Sequence, residues 1–161
     1  MIFNRHVHDV HRFVRRRTGD DALADDLTAV TFERCWTALP SFEPKRMTLR
    51  PWLFRIAANT IASHYRSEGR RRRREHLVAV REQPLVVDRT LDGSPFADAA
   101  VLEALGRLGE RHQQVLSLRF LADLTTAEAA DAMAIGRGHL AVLQYRALAA
   151  LRHEWEGTCD V

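Results

Sequence analysis

Residues 125–151 read TTAEAADAMAIGRGHLAVLQYRALAAL, and this stretch decides the fold. Thr125 stands where it can cap a helix, and Glu128, three residues on, can reach back to the cap's own N–H, the pattern of a capping box. Ala127, Ala130 and Met133 follow at helical steps as an inward stripe. Next comes Ala134-Ile135-Gly136, where the glycine is expected to take the left-handed turn that ends one helix and re-aims the next. A second helix is expected from Arg137, with Leu140, Leu143, Ala147 and Leu151 turned to a core. Its opposite face carries Val142, Tyr145 and Ala149, flanked by His139, Ala141 and Arg146. Two helices so related form a helix-turn-helix, whose second helix lies in a DNA major groove. The outer face is less polar than base readout through Arg, Lys, Asn or Gln requires, and the pattern also fits a helical hairpin packed on its own core.

Outward from this motif the chain predicts helices and no convincing strand. Phe3, Val7, Val10 and Val14 fall at helical steps that close at Thr18-Gly19. Asp20 can cap a second helix running to Leu39 and ended by Pro40. Residues 41–47, SFEPKRM, read as a charged loop, after which Thr48 can cap a long third helix with Pro51 in its first turn. That helix carries Trp52, Leu53, Ile56, Ala57 and Thr60 on one side and runs out in the arginines 70–74. Residues 81–94 lose periodicity and collect Pro84, Asp88, Asp92 and Gly93, as a linker would. Ser94-Pro95 reads as a cap and first-turn proline, followed by helices over 95–107 and 110–121 that lead into the helix-turn-helix. The expected fold is all-α, with two small helical domains over 1–76 and 95–161 joined by a flexible linker over 77–94.

Composition supports this division. Of the 161 residues, 46% are hydrophobic, enough for packed cores, and no stretch has the length of a membrane span or the form of a secretory signal. A soluble, intracellular, cytoplasmic protein is expected. Cys35 and Cys159 make neither a disulfide framework nor a metal spacing. The net charge of +3 hides an asymmetry: residues 1–74 hold 16 Lys/Arg against 8 Asp/Glu, whereas residues 75–161 hold 8 against 13. The electrostatic footprint for nucleic acid is therefore on the first half. In the acidic second half, affinity must come from Arg137, Arg146 and Arg152, and weak duplex binding is expected. His6, His8 and His11 lie on different helical faces and do not read as a metal site. No phosphate-binding glycine loop, zinc-protease helix or nucleophile elbow occurs, so neither enzymatic activity nor a cofactor is expected.

Nearly the whole chain resembles the extracytoplasmic-function (ECF) group of bacterial RNA polymerase sigma factors. Arg16-Arg17-Thr18-Gly19-Asp20, Ala24-Asp25-Asp26-Leu27-Thr28, Thr31-Phe32, residues 36–42 (WTALPSF) and residues 50–59 (RPWLFRIAAN) are similar to that family's region 2. Leu118-Arg119-Phe120, Leu124-Thr125, Glu128-Ala129-Ala130, Ile135-Gly136 and residues 144–148 (QYRAL) are similar to its region 4. The resemblance implies a transcription initiation subunit. Region 2 would dock on core RNA polymerase and open the promoter's minus-ten element, and region 4 would read the minus-thirty-five element as duplex.

Residue by residue, the resemblance implies polymerase contacts at Asp25, Asp26, Thr28, Phe32 and Trp36. It puts the minus-ten set at Lys45, Arg46, Thr48, Arg50, Arg55, Asn59, Ser63 and Arg66, which offer cations for phosphates and amide or hydroxyl groups for unstacked bases. It puts the minus-thirty-five set at Arg137, His139, Ala141, Val142, Tyr145 and Arg146. The alternative for the minus-ten set is that Asn59 satisfies a buried backbone group and the arginines form a solvated face, and Phe32 and Trp36 read equally as core. The chain departs from the family where Ala29-Val30 replace a polar pair, where Ser63 replaces Asp or Asn, and where Ala141-Val142 replace polar readers. These departures keep open a sigma-like protein that binds an anti-sigma factor without directing transcription. A simple helix-turn-helix regulator is a third reading, which leaves the basic first half unexplained. The arginines 70–74 read either as a solvated helix end or as phosphate contacts between the two promoter elements. A linker also permits a compact arrangement that hides the DNA-binding faces until a partner releases them.

Overall fold

The structure, a computed structural model, describes residues 2–75 and 99–159. The expected linker over 77–94 and the Ser94-Pro95 cap lie outside the described residues. Helix α1 spans Ile2–Thr18, α2 Asp21–Ala38, α3 Leu49–Glu75, α4 Ala99–Arg107, α5 Glu110–Leu116, α6 Thr126–Met133 and α7 Arg137–Cys159. No strand occurs among the described residues.

Local chemistry sets the boundaries in the first half. Gly19 closes α1 at φ 70°, with its N–H bonded to the Arg15 carbonyl at 2.8 Å. Asp20 caps α2 by accepting from the Leu23 N–H at 3.0 Å. Pro40, which cannot donate within a helix, ends α2 in a short 3-10 turn over Leu39–Ser41. Phe13, Val14, Leu27, Leu53, Phe54 and Ala57 then form the core of α1–α3, with Phe13 and Phe54 edge-on at 5.4 Å. The buried face of α3 is wider than the expected stripe, because Phe54, Ala58 and Ile61 join it.

The second half departs twice from expectation. The helix expected over 110–121 leaves α geometry at Leu116 and widens into a π turn over Ser117–Leu121, closed by the Ala122 N–H on the Ser117 carbonyl at 2.9 Å. Within and just beyond this widened turn, Leu118, Leu121 and Leu124 are all buried. The left-handed residue between α6 and α7 is Ala134, at φ 55°, and not Gly136. Reversal has to begin at the first residue after the helix, where the Ala134 N–H still reaches the Ala130 and Asp131 carbonyls. Gly136 stands at the cap of the next helix, its carbonyl accepting from the Leu140 N–H at 2.9 Å. The capping box at Thr125 is formed, with 3.1 Å bonds in both directions. In α6 the buried residues are Ala129, Ala130 and Ala132, so the inward stripe is rotated from the expected one and Ala127 and Met133 lie at its margins.

The two halves pack on each other. Helix α3 lies against α6, and α1 meets the π turn. The buried apolar cluster is continuous, running from Val10 and Phe54 to Leu118 and Leu140.

Candidate nucleic-acid interface

Helix α3 begins just after a loop that is folded onto it by Phe42 against Trp52, with ring centroids 4.8 Å apart. Lys45, Arg46 and Thr48 are exposed on this loop, and Arg46 is tied to Glu43 at 2.8 Å. Thr60 bonds back to the Ile56 carbonyl and receives Arg34 from α2 at 3.3 Å, which fixes α3 on α2. Along the other side run Arg55, Asn59, Ser63 and Arg66, at steps that keep them on one face, while Arg50 in the first turn is half-buried on the side of Phe54, its guanidinium 5.6 Å from that ring's centroid. All of the expected minus-ten residues are thus on one loop and one helix.

Several members of that set are engaged by the second half of the chain. Arg50 Nη1 donates to both Glu128 carboxylate oxygens, at 3.1 and 3.0 Å, and Arg50 Nη2 donates to the Ala122 carbonyl at 3.2 Å. Asn59 Oδ1 accepts from Gln114 Nε2 at 3.3 Å. Arg66 Nη1 reaches Glu110 at 2.8 Å while its Nη2 donates to Ser63 Oγ at 3.3 Å. From α1, Arg16 meets the Leu121 carbonyl and Asp123, each at 3.4 Å. Arg17 donates to Gln113 Oε1 at 2.7 Å and lies over the Tyr65 ring, 5.1 Å from its centroid.

The electrostatics of this seam are uneven. Burial raises the Glu128 carboxyl, but the Thr125 N–H and the Arg50 guanidinium outweigh it and hold the group below its ordinary value. One carboxylate thus caps α6 and ties α6 to α3. Arg17 is only 6% exposed, and burial lowers its pKa with a partial offset from Tyr65. Burial likewise pushes the Tyr65 phenol up, against the opposing pull of Arg17. None of these seven partners in the second half stands out as functional in the sequence, although the opposite charges of the halves are its visible sign.

Helix α7 presents the other face. Leu140 and Ala147 are fully buried and Leu143 nearly so, as expected, while Arg119 from the π turn braces the motif by donating to Gln144 at 3.0 Å and to the Leu124 carbonyl. Arg137, His139, Ala141 and Arg146 are exposed; Tyr145 is 76% exposed and Val142 48%. The expected minus-thirty-five set therefore shares one solvent-facing surface, on which Arg137, His139 and Arg146 alternate with Ala141, Val142 and the Tyr145 ring.

At α2 the expected polymerase set divides. Trp36 is 79% exposed, so it is not core, and Phe32 is half-buried against Phe3 at a centroid distance of 4.9 Å. Asp26 is exposed, and Asp25 accepts a 2.8 Å contact from His11. Thr28 is buried and its hydroxyl meets no hydrogen-bond partner among the described residues, so as folded it cannot touch a partner protein. The arginines 70–74 are helical and exposed, and Arg71 is tied to Glu75 at 2.9 Å.

This arrangement has close counterparts. The Sigma-70 region 2 family profile matches residues 2–71, and the Sigma-70, region 4 profile matches residues 104–153. The chain belongs to the ECF group of sigma-70 factors. It is 33% identical over 153 residues to the ECF RNA polymerase sigma factor BldN of Streptomyces coelicolor, covering 93% of this chain and 57% of that protein. The chain thus spans little more than half the length of that relative. Among solved structures, CnrH in complex with the cytosolic domain of CnrY superposes with a TM-score of 0.65 at 26% identity, over 97% of this chain and 86% of that one. The sigma factor RpoE of Bartonella quintana, solved with the anti-sigma factor NepR, has a TM-score of 0.65 at 22% identity, over 96% and 94% of the two chains, and shares the fold. Sigma factors are initiation factors rather than enzymes, in keeping with the absence of catalytic motifs from the sequence. No helix among the described residues is long and apolar enough to cross a membrane.

Proposed function

We propose that this ECF sigma factor binds core RNA polymerase and directs promoter-specific initiation from the cytoplasm, with region 2 over 1–76, a linker over 77–94 and region 4 over 95–161. The observation that carries this reading is the pairing, on one fold, of a basic, amide-bearing face on α3 with a solvent-facing second helix of a helix-turn-helix. On α3, Arg50, Arg55 and Arg66 hold phosphates of the opened minus-ten strand while Asn59 and Ser63 reach base edges. Lys45, Arg46 and Thr48 extend that path along the loop. On α7, Arg137, His139, Tyr145 and Arg146 contact the minus-thirty-five duplex, and Ala141 and Val142 meet thymine methyl groups.

Trp36 is the anchor on the polymerase clamp, since an indole this exposed costs apolar surface unless a partner covers it. Asp26 and Phe32 flank it, and Thr28 supports the helix from within. An anti-sigma factor is a further partner, by likeness to CnrH and its complex with CnrY.

The test is to mix the purified full chain with core polymerase free of any sigma subunit and follow assembly by size exclusion. A stoichiometric complex, lost on Trp36→Ala, is expected. If the chain and core polymerase elute separately, Ala29-Val30 has removed a needed polar contact and the anti-sigma-binding reading replaces this one.

A further inference from the structure

Among the residues expected to hold the minus-ten strand, those on α3 that reach furthest toward region 4 are already occupied. Arg50 is held by Glu128 and the Ala122 carbonyl, Asn59 by Gln114, and Arg66 by Glu110. Each contact reproduces a nucleic-acid chemistry: a carboxylate on a guanidinium stands where a phosphate would, and an amide on an amide stands where a base edge would. The rest of the seam is of the same kind, with Asp123 on Arg16 and Gln113 on Arg17. The surface of region 4 that faces α3 is thus electronegative, in a chain whose first 74 residues carry a surplus of eight positive charges. The recognition face of α7, in contrast, stays open: Tyr145 and Val142 lie in solvent.

We infer that the α5–α6 surface of region 4, carrying Glu110, Gln114, Asp123 and Glu128, is an internal mimic of the single-stranded promoter, which competes with that strand for α3 while leaving α7 free. The inference rests on the proposed role of α3 in strand binding. Two features keep the mimic displaceable. Its ion pairs are largely at the surface, with Arg66 and Glu110 each about half exposed, so each stabilises by only a little. Arg17 is buried against an amide oxygen and an aromatic ring rather than a carboxylate, and a buried charge so matched is a standing cost of closure.

The experiment compares the full wild-type chain with Glu110→Gln/Asp123→Asn. Both replacements keep shape and local conformation; Asp123 sits at φ 55°, which Asn also tolerates. A charge-matched control, Glu103→Gln/Glu156→Gln, removes two carboxylates whose ion pairs, to Arg107 and Arg152, lie within their own helices. A fluorescein-labelled twelve-nucleotide oligo(dT) reports strand affinity by anisotropy, and small-angle scattering reports the radius of gyration. The seam variant is expected to bind the oligonucleotide about two- to tenfold tighter and to expand, while the control stays near wild type. Equal tightening by seam variant and control reduces the effect to bulk charge and overturns the inference. Expansion without tighter binding also overturns it, because the contacts then hold the halves together without competing for the strand. Complex formation with core polymerase, measured on the same samples, is independent of these readouts: its loss in every sample overturns the sigma reading alone.

Discussion

Helices α3 and α7 are the two proposed DNA-facing helices of this chain, and they are treated in opposite ways. The α3 face is rich in guanidinium and amide groups, and region 4 meets three of its members with hydrogen bonds at 2.8 to 3.3 Å. The α7 face sets Arg137, His139 and Arg146 among Ala141, Val142 and Tyr145 and is left to solvent. The difference follows from chemistry. The α3 donors gain from the acceptors that α5 and α6 bring to them, whereas the cations and apolar side chains on the outer face of α7 stay in water. A strong nucleic-acid face invites an internal competitor, and a weak one does not.

The comparison breaks most visibly if the cores beneath the two helices are emptied in turn. Phe54→Ala under α3 is expected to cost about 3–5 kcal/mol and Leu140→Ala under α7 about 2–5 kcal/mol, read by urea denaturation. Because the apolar cluster is continuous, each is expected to shift a single transition; two separated transitions would show that the halves fold independently of the seam.

Next in size is a gain on the weak face. Ala141→Arg adds a cation to α7 without touching the seam, and about 1–3 kcal/mol of duplex discrimination is expected if it reaches a guanine, with the salt dependence of binding steepened by nearly one unit of slope. Unchanged duplex affinity in an electrophoretic shift would place the duplex reader elsewhere.

Smaller still is the effect of acid on the seam. Glu128 is held below its ordinary carboxylate pKa in the folded state, so it contributes stability that is fully present above that ordinary value, 4.5, and lost as pH falls through its lowered folded value. Thermal melts between pH 7 and pH 3 are expected to show a loss of about 1 kcal/mol in Glu128 protein that is absent from Glu128→Gln.

The least effect is expected at the turn that aims α7. Ala134→Gly relieves a left-handed alanine worth about 1–2 kcal/mol of strain, less about 0.4–1 kcal/mol of added unfolded-chain entropy, so a net gain under about 1 kcal/mol in melting experiments is the expected result. A loss of stability would mean that the turn is not strained.

Much of this was legible from residues in order along the chain. Asp20, Pro40, Thr125 and Glu128 announce helix ends through contacts a few residues away, and the steps Leu140–Leu143–Ala147 announce which way α7 faces. Ala134 was not legible, because Gly136 two residues later is the better left-handed former and only the closing hydrogen bonds decide between them. Trp36 and Thr28 were not separable either: both fit a helical pattern, and exposure of one with burial of the other depends on where α1 and α3 lie.

The sequence by itself determined the seven α-helices seen among the described residues, the helix-turn-helix and the opposite charge of the two halves, since each rests on local propensity, short-range periodicity or summed composition; its likeness to the sigma-70 family rests instead on particular motifs in order along the chain. Only the tertiary structure decided that Glu128 meets Arg50 across 78 positions, that Gln114 meets Asn59, and that α3 is covered while α7 is open. Pairings at such separation depend on the packing of α6 on α3 and of α1 on the π turn. That packing is a sum of many weak apolar contacts, which no spacing along the chain encodes.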